Sequence, residues 1–130
     1  MTGIPSPAIL TAYDCWRLLE HEEIARVAWA TGDTAAVVPV NFTVVDGALW
    51  FRVHPSSALG QQCRGGRVAV EVDHLDGSDR SAWSVVVQGT AQPVDIHDVP
   101  DQAMEIRLWP AGPFSMFVRV EPDEVTGRRL

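Results

Sequence analysis

The sequence predicts a mostly β domain in which about six short strands close, or nearly close, into an antiparallel barrel. One signal is Asp46-Gly47, because both residues tolerate the positive φ of a two-residue hairpin turn. It separates two runs, residues 35–45 and 48–53, that have the pattern of paired strands. Further short alternating runs follow along the chain. Closure of many short strands removes exposed sheet edges, which favours a barrel over an open sheet.

The chain begins with a tail and a helix. Residues 1–8 are rich in Pro, Ser and Gly, so we expect a flexible tail there and a single domain over residues 9–130. Thr11 followed by Asp14 is typical of a helix start. An apolar stripe behind this start predicts a helix that ends near residues 21–23. The stripe consists of Cys15, Trp16, Leu18 and Leu19.

Three strands are predicted next, at residues 24–30, 35–45 and 48–53. Pro39 lies inside the second of them. Because proline cannot donate to a sheet ladder, this strand is expected to lie at an edge or to contain a bulge there. In the third strand, the period-two alternation predicts two faces. Leu49, Phe51 and Val53 share one face, and Trp50, Arg52 and His54 share the other.

The second half of the chain continues in short elements. Ser56 or Ser57 would cap a short helix over residues 56–63, which Gly65-Gly66 would end. A polar loop is expected at residues 74–80. Strands are predicted at residues 68–73, 83–91 and 115–121, a helix that Pro100 can break at 98–108, and a further short strand within 125–130.

Composition narrows the class of protein. The chain has 130 residues, of which 46% are hydrophobic and 21% charged, as is usual for one globular domain. No apolar stretch is long enough to cross a bilayer and the N-terminus carries no secretory signal, so we expect a cytoplasmic protein that does not bind membranes. In that compartment Cys15 and Cys63 are expected to be buried thiols.

The balance of charge argues against nucleic acid as a partner. The formal net charge is −7, and because the chain contains no lysine, all ten of its Lys and Arg cations are arginine. Affinity for nucleic acid comes largely from clustered cations that neutralise phosphates. Any anion that this chain binds must therefore be held by arginine, histidine, hydroxyl or backbone N–H groups.

Motifs for hydrolysis, phosphate loops and metal binding are not found in the sequence. There is no Gly-x-Ser-x-Gly elbow and no Walker-type loop. Asp73, Asp76 and Asp79 are interpreted as a solvated acidic loop, because no chelating Glu follows at the spacing of a calcium loop. The histidines are scattered singly, which is more typical of surface residues than of metal ligands. They are His21, His54, His74 and His97.

Arg52, His54 and the two serines that follow form the most informative cluster. A helix N-terminus offers free N–H groups and the positive end of the helix dipole, and together with an arginine and two hydroxyls it would suit a phosphate. The alternative is that a serine only caps the helix and Arg52 is solvated. Trp83 also has two interpretations: it packs in the core, or it forms a wall for a flat aromatic ligand.

Several segments, spread over almost the whole chain, have a characteristic joint order and spacing. They are Leu18-Leu19, Ala25-Arg26-Val27-Ala28, Val38-Pro39-Val40-Asn41-Phe42, Trp50-Phe51-Arg52 running into Ser57-Ala58-Leu59, residues 68–73, residues 83–89, Leu108-Trp109-Pro110, Val118-Arg119-Val120 and Gly127-Arg128-Arg129. In this order they resemble the pyridoxamine 5′-phosphate oxidase-like superfamily of FMN-binding split barrels, in particular its small bacterial members.

The resemblance implies a fold, a cofactor and an assembly. The fold would be a six-stranded antiparallel split β-barrel. The protein would be an FMN-binding flavoprotein that oxidises or reduces an unknown small-molecule substrate, with FMN or the deazaflavin F420 supplying the redox chemistry. It would form a homodimer with its cofactor sites in the clefts between the subunits.

The resemblance also assigns cofactor contacts in this chain. Three residues of the second long strand would lie along the isoalloxazine: Pro39, Val40 and Asn41. Those expected to face the ribityl phosphate are Arg52, Val53, Ser57, Ala58 and Leu59. Trp83 and Ser84 would come from the partner subunit or from an adjacent strand. No catalytic residue is assigned.

Ala58 departs from the family pattern, because relatives commonly carry a cation, often lysine, at this position. Arg52, Arg64 or Arg67 would have to replace it. The chain also lacks the Arg-rich substrate-phosphate region of pyridoxamine 5′-phosphate oxidases and their C-terminal motif, so that specific activity is not expected. Ala58 and the net charge favour an alternative: a non-catalytic dimer that binds flavin or haem, or a member that has lost FMN.

Overall fold

The computed structural model describes residues 8–76, 81–106 and 116–129. They form seven strands, three short α-helices and one 3-10 turn. In chain order these are β1 (Ala8–Ile9), α1 (Ala12–Leu19), β2 (Ile24–Thr31), β3 (Thr34–Val45), β4 (Ala48–Val53), α2 (Ala58–Gln62), β5 (Arg67–Asp76), β6 (Ser81–Val94), the 3-10 turn (Ile96–Asp98), α3 (Asp101–Met104) and β7 (Met116–Arg129).

Six of the strands form a closed antiparallel barrel, which confirms the predicted fold class. Around the barrel they follow the order β7, β4, β3, β2, β5, β6, and β6 pairs with β7 to close it. The β6–β7 ladder is long and runs from Trp83 opposite Arg129 to Val94 opposite Phe117. The short strand β1 pairs with the C-terminal end of β7.

The hairpin between β3 and β4 has the turn that the sequence predicts. Asp46 and Gly47 have φ angles of 50° and 73°, so both occupy the left-handed region that a two-residue turn requires. This turn fixes the register, with Val45 opposite Ala48. The alternation of β4 follows from that register and places its residues on two sides of the barrel wall.

Both faces of β4 are buried, against different parts of the molecule. Leu49, Phe51 and Val53 point into the barrel and belong to its main core. Trp50 points outward and packs in a smaller cluster with Ala103 of α3. The predicted faces of this strand are thus confirmed.

Two helices close the barrel at its ends. The side chain of Thr11 accepts a hydrogen bond of 3.1 Å from the Asp14 N–H, which confirms the predicted start of α1. Cys15 and Leu19 of α1 are buried in the main core, as is Leu59 of α2. Helix α1 ends at Leu19, earlier than the predicted residues 21–23, because the chain must turn there to enter β2 at Ile24.

Several predicted boundaries are wrong because pairing extends the strands. β5 continues through Asp76 as a ladder partner of β6, so residues 74–76 are strand rather than loop. Residues 116–129 form one strand, with a register irregularity beside Gly89 of β6, instead of two. Ala8, expected in the tail, pairs with Arg129.

The predicted helix at 98–108 is divided at Pro100. A 3-10 turn precedes the proline and α3 follows it, because proline favours the first positions of a helix and cannot continue one from within. The rest of the tail, the end of the 74–80 segment with Asp79, and the Leu108-Trp109-Pro110 segment lie outside the described residues. No helix in the described ranges is long and apolar enough to span a bilayer.

Candidate functional site

The barrel wall opens where β3 and β4 separate. Their pairing runs from the hairpin turn to Phe42 and Phe51 and ends there. Beyond that point β3 continues along β2, whereas β4 continues along β7. Five of the predicted cofactor contacts flank this opening, which we call the β3–β4 split: Pro39, Val40 and Asn41 on one side, and Arg52 and Val53 on the other.

Pro39 lies where its missing N–H breaks no ladder hydrogen bond. The Phe42 N–H donates to the carbonyl oxygen of Glu23 over 2.9 Å, towards β2. Because N–H groups alternate in direction along a strand, the Asn41 N–H and the nitrogen of Pro39 face away from β2, into the split. In the described part of the chain no other strand pairs with β3 at this level. The predicted edge at Pro39 is confirmed, and the edge presents the Asn41 N–H and the carbonyl groups of Pro39 and Asn41.

The two sides of the split differ in chemistry. Val53 is buried in the main core and Val40 packs against it, so the inner wall is apolar. Arg52 is half-buried and its guanidinium carbon lies 4.6 Å from the centre of the Phe117 ring, over its face. The ring holds the guanidinium in place by a cation–π contact.

The start of α2 contributes a helix cap. The Ser57 hydroxyl donates to the carbonyl of His54 over 2.7 Å and accepts from the Gly60 N–H over 3.0 Å. This is the capping interpretation of Ser57, and it uses the hydroxyl in local bonds. Leu59 points into the core and Ala58 is exposed. The side chains at this helix start therefore offer no cation to a phosphate.

Trp83 and Ser84 lie away from the split within one chain. They are on β6; β2 and β5 separate that strand from β3 one way round the barrel, and β7 separates it from β4 the other way. The Trp83 side chain is buried in the main core and stacks on His74 with 6.2 Å between ring centres. Ser84 points to the outer face. Neither residue is on a strand next to β3 or β4, and the Trp83 indole packs in the core; contact of these residues with a cofactor stays a prediction.

A groove of about 450 Å³ adjoins the split at Asn41 and is strongly acidic. It lies between the end of α1, β3 and α3. Because four glutamates line it, this groove repels anions. The lining residues are Glu20, Glu22, Glu23, Asn41, Phe42, Thr43, Gln102, Glu105 and Ile106.

A charge cluster on the outer face escaped the sequence-based prediction. Arg26 of β2 donates to Asp73 over 3.0 Å and to Glu71 over 3.3 Å, both on β5. Burial, followed by the neighbouring Asp73 carboxylate, raises the pKa of Glu71 above its ordinary value. The period-two alternation of β2 and β5 indicates that these charged side chains point outward. Only the register of the two strands, with Arg26 opposite Glu71, shows that they lie close together.

The cysteines are two separate buried thiols, as predicted. Burial raises the pKa of Cys63 to about 12. Burial, with the nearby Asp14 carboxylate, also raises the pKa of Cys15. Since the thiolate is the reactive form, neither thiol is suited to act as a nucleophile.

Comparison with known proteins relates the whole chain to one family. The sequence model of the pyridoxamine 5′-phosphate oxidase family matches residues 11–129. The uncharacterized protein Rv0080 of Mycobacterium tuberculosis is 33% identical over 123 residues, which cover 90% of this chain and 81% of that protein.

Two solved structures show the same fold. The FAD binding protein from Mycobacterium smegmatis has a TM-score of 0.80 and 32% identity, over 95% of this chain and 98% of that one. A conserved protein of unknown function from Corynebacterium diphtheriae has a TM-score of 0.73 and 28% identity, over 94% and 96% of the two chains. The match over nearly the full length, together with the barrel, shows that this chain belongs to the pyridoxamine 5′-phosphate oxidase family.

Proposed function

We propose that this protein binds a flavin at the β3–β4 split and acts as a flavin-dependent oxidoreductase on a small molecule. The observation that carries the proposal is the likeness, at 32% identity over almost the full length of both chains, to a FAD binding protein of Mycobacterium smegmatis. A bound flavin supplies hydride and electron transfer, so the protein has to supply binding, orientation and electrostatics.

The split has the chemistry that a flavin ring requires. The polar edge of an isoalloxazine carries both hydrogen-bond donors and acceptors. The backbone edge of β3 offers an acceptor at Pro39 and a donor and an acceptor at Asn41, because the Phe42 N–H is directed to Glu23 and the alternate groups face the split. The apolar side chains of Val40 and Val53 flank the same opening. A flat, largely apolar ring with one polar edge matches this arrangement.

Among the flavins, FAD is our first candidate, ahead of FMN and F420. The terminal phosphate of FMN is a dianion and needs concentrated positive charge, whereas Ala58 removes the cation that relatives carry. Arg52 is the cation that flanks the split. The pyrophosphate of FAD spreads its charge over two groups, and its adenosine adds binding surface, so this ligand depends less on one lysine.

The proposal includes a homodimer. Trp83 and Ser84 are not on a strand next to β3 or β4, so we expect them to contact the flavin from a second copy. Ile24 and Val37 support such contact, since both point outward on the barrel wall and are 60% and 59% exposed. Light scattering should then give twice the chain mass of 14.2 kDa, and a mass of one chain would contradict the dimer.

Titration of flavin-free protein with FAD, FMN, riboflavin and F420 tests the cofactor. We expect FAD to bind at one molecule per chain, more tightly than FMN, with quenching of its fluorescence. Failure of all four to bind would exclude the proposal.

The variant Ala58→Lys should raise the affinity for FMN by about tenfold, through one charge-assisted contact, and leave the affinity for riboflavin unchanged. An equal gain for riboflavin would show that the phosphate lies elsewhere.

A non-catalytic flavin carrier is the second candidate. Ala58 and the formal net charge of −7 favour it, because both weaken the binding of a flavin phosphate. Anaerobic reduction of the bound flavin by reduced nicotinamides or reduced F420, followed by reoxidation with quinone or nitro acceptors, separates the two. Multiple turnovers with any acceptor support the oxidoreductase, and their absence across the panel supports the carrier.

A further inference from the structure

His54 lies just beyond the end of β4, beside the residues that flank the β3–β4 split. It follows Val53 directly and is half-buried. Arg52, two residues earlier, is on the strand that forms one side of the split. Ala58, four residues later, is exposed and adds only a methyl group. The ring of His54 therefore starts from the stretch of chain between the arginine and the first residue of α2.

Hydrogen bonds and a close contact fix the turn that carries this ring. The carbonyl oxygen of His54 accepts from the Ser57 N–H over 3.0 Å and from the Ser57 hydroxyl over 2.7 Å. A Cβ added at Gly60 would lie only 2.3 Å from the same carbonyl oxygen. The turn and α2 are thus packed tightly together, so the histidine has one position relative to both β4 and the helix.

The ring itself is held by a hydrogen bond from the backbone. The Ser56 N–H donates to Nδ1 of His54 over 3.0 Å. An N–H group can donate only to a ring nitrogen without a proton, so the neutral imidazole has its proton on Nε2. Nε2 is therefore a hydrogen-bond donor at the far end of the ring. Among the residues that the structure describes, none provides an acceptor for it.

Capping of the turn accounts for only one of the two ring nitrogens. Asparagine, aspartate and serine side chains commonly accept from an N–H group two residues further on, as Nδ1 does here. A short side chain would therefore be enough to hold this turn. What the histidine adds is a second polar nitrogen, which reaches beyond the turn and donates.

The neighbourhood of this donor favours a phosphate as its acceptor. The guanidinium carbon of Arg52 lies 4.6 Å from the centre of the Phe117 ring, which limits its movement. Each phosphate oxygen has several lone pairs, so one phosphate can accept from a guanidinium and an imidazole together. A hydrogen bond to an ionised phosphate is also about twice as strong as one between neutral groups.

We propose that His54 is a further flavin-binding residue, and that its Nε2–H donates to a phosphate of the flavin beside Arg52. This assignment rests on the flavin site proposed above. A neutral imidazole adds a hydrogen bond without adding a charge. Such a donor suits the pyrophosphate of FAD, whose negative charge is spread over two groups, better than the dianion of FMN.

Two substitutions separate the roles of the two ring nitrogens. His54→Asn keeps an oxygen that can accept from the Ser56 N–H and removes the far donor. His54→Gln has a longer side chain, whose amide N–H can take the place of Nε2 while the bond to Ser56 is given up. Each variant and the wild type are titrated with FAD, FMN and riboflavin by quenching of flavin fluorescence, and circular dichroism checks that they are folded.

His54→Asn should bind FAD and FMN about tenfold more weakly than the wild type, from the loss of one hydrogen bond to a charged group. Its affinity for riboflavin should be unchanged, because riboflavin has no phosphate. His54→Gln should recover most of the lost affinity. If the histidine only caps the turn, His54→Asn will bind FAD and FMN like the wild type, and that result overturns the proposal. Equal weakening of riboflavin overturns it as well.

The wild type provides a test that does not depend on the folding of a variant. Long-range ¹H–¹⁵N NMR of the histidine rings reports which nitrogen carries the proton, and for His54 we expect Nε2. FAD and FMN should shift the Nε2 signal of His54, whereas riboflavin should leave it nearly in place. Binding of FAD without such a shift would overturn the role of His54 and leave the flavin site intact. Failure of the wild type to bind any flavin would overturn both.

Discussion

At the scale of single residues, burial decides which groups can react. Cys63 and Cys15 are fully covered by the barrel core, and the cost of placing a thiolate there raises both pKa values. Whereas burial disfavours a charged thiolate, the Phe117 ring stabilises the charged guanidinium of Arg52 at the edge of the split. The site thus depends on backbone groups and a cation rather than on an activated nucleophile.

The first prediction concerns these thiols. In the native protein at pH 8, Ellman's reagent should modify neither Cys15 nor Cys63 faster than the protein opens, because both are buried and protonated. After denaturation in guanidinium chloride, two thiols per chain should react at once. Rapid modification of one thiol in the folded protein would contradict the placement of α1 or α2 over the barrel ends.

The second prediction concerns Glu71 and pH. Because the folded state raises its pKa, the contribution of Glu71 to stability is fully present below the ordinary pKa of a glutamate and is lost as pH rises through the folded value. Glu71→Gln keeps the shape and cannot ionise. Urea unfolding should therefore show that the variant gains stability relative to the wild type between pH 4 and pH 7. A trend of opposite sign for Glu71→Gln would refute the assignment.

At the scale of elements, strand pairing explains both the open edge and the bulge. Among the described strands, β3 has a partner on one side only at Pro39, so a proline costs no hydrogen bond there. The irregular register beside Gly89 brings β6 very close to β7. A Cβ at Gly89 would lie 2.2 Å from the carbonyl oxygen of Glu121, so only glycine fits this approach.

The third prediction follows from that approach. Gly89→Ala should lower the free energy of unfolding by about 1–3 kcal/mol, because the backbone of β7 must move to admit the methyl group. Gly32→Ala is the comparison: Gly32 has a φ of 63° but nothing within 4 Å of an added Cβ. Gly32→Ala should therefore lower the free energy of unfolding by about 1 kcal/mol, through the strained backbone conformation alone. Chemical denaturation measures both, and equal or smaller loss at Gly89 would argue against the close pairing.

At the scale of the whole molecule, local patterns were predictable and their spatial combination was not. Asp46-Gly47 and the alternation of β4 are properties of a few neighbouring residues, so the hairpin and its two faces followed from the sequence. The ends of β5 and β7 depend on pairing with β6, which no local pattern contains. The order of the segments was enough to predict that Pro39 and Arg52 lie near one site. The position of Trp83 in the core depends on strand pairing, so the sequence left two interpretations of that residue open.

The central claim is that the open backbone edge of β3 binds a flavin, and one titration tests it most directly. Asn41→Pro removes the N–H that faces the split and, like Pro39, breaks no bond to β2. Ala35→Pro makes the same change four residues before Pro39, where the N–H also faces away from β2 and no described strand pairs with β3 on that side. Asn41→Ala keeps the N–H and removes only the side-chain amide.

The affinity for FAD of these three variants and the wild type is measured by quenching of flavin fluorescence, with circular dichroism as the check on folding. We predict that Asn41→Pro binds FAD about tenfold more weakly than the wild type, from the loss of one buried hydrogen bond. Ala35→Pro and Asn41→Ala should bind nearly as well as the wild type. Unchanged affinity in a folded Asn41→Pro variant, or no binding of FAD by the wild type, would contradict the account.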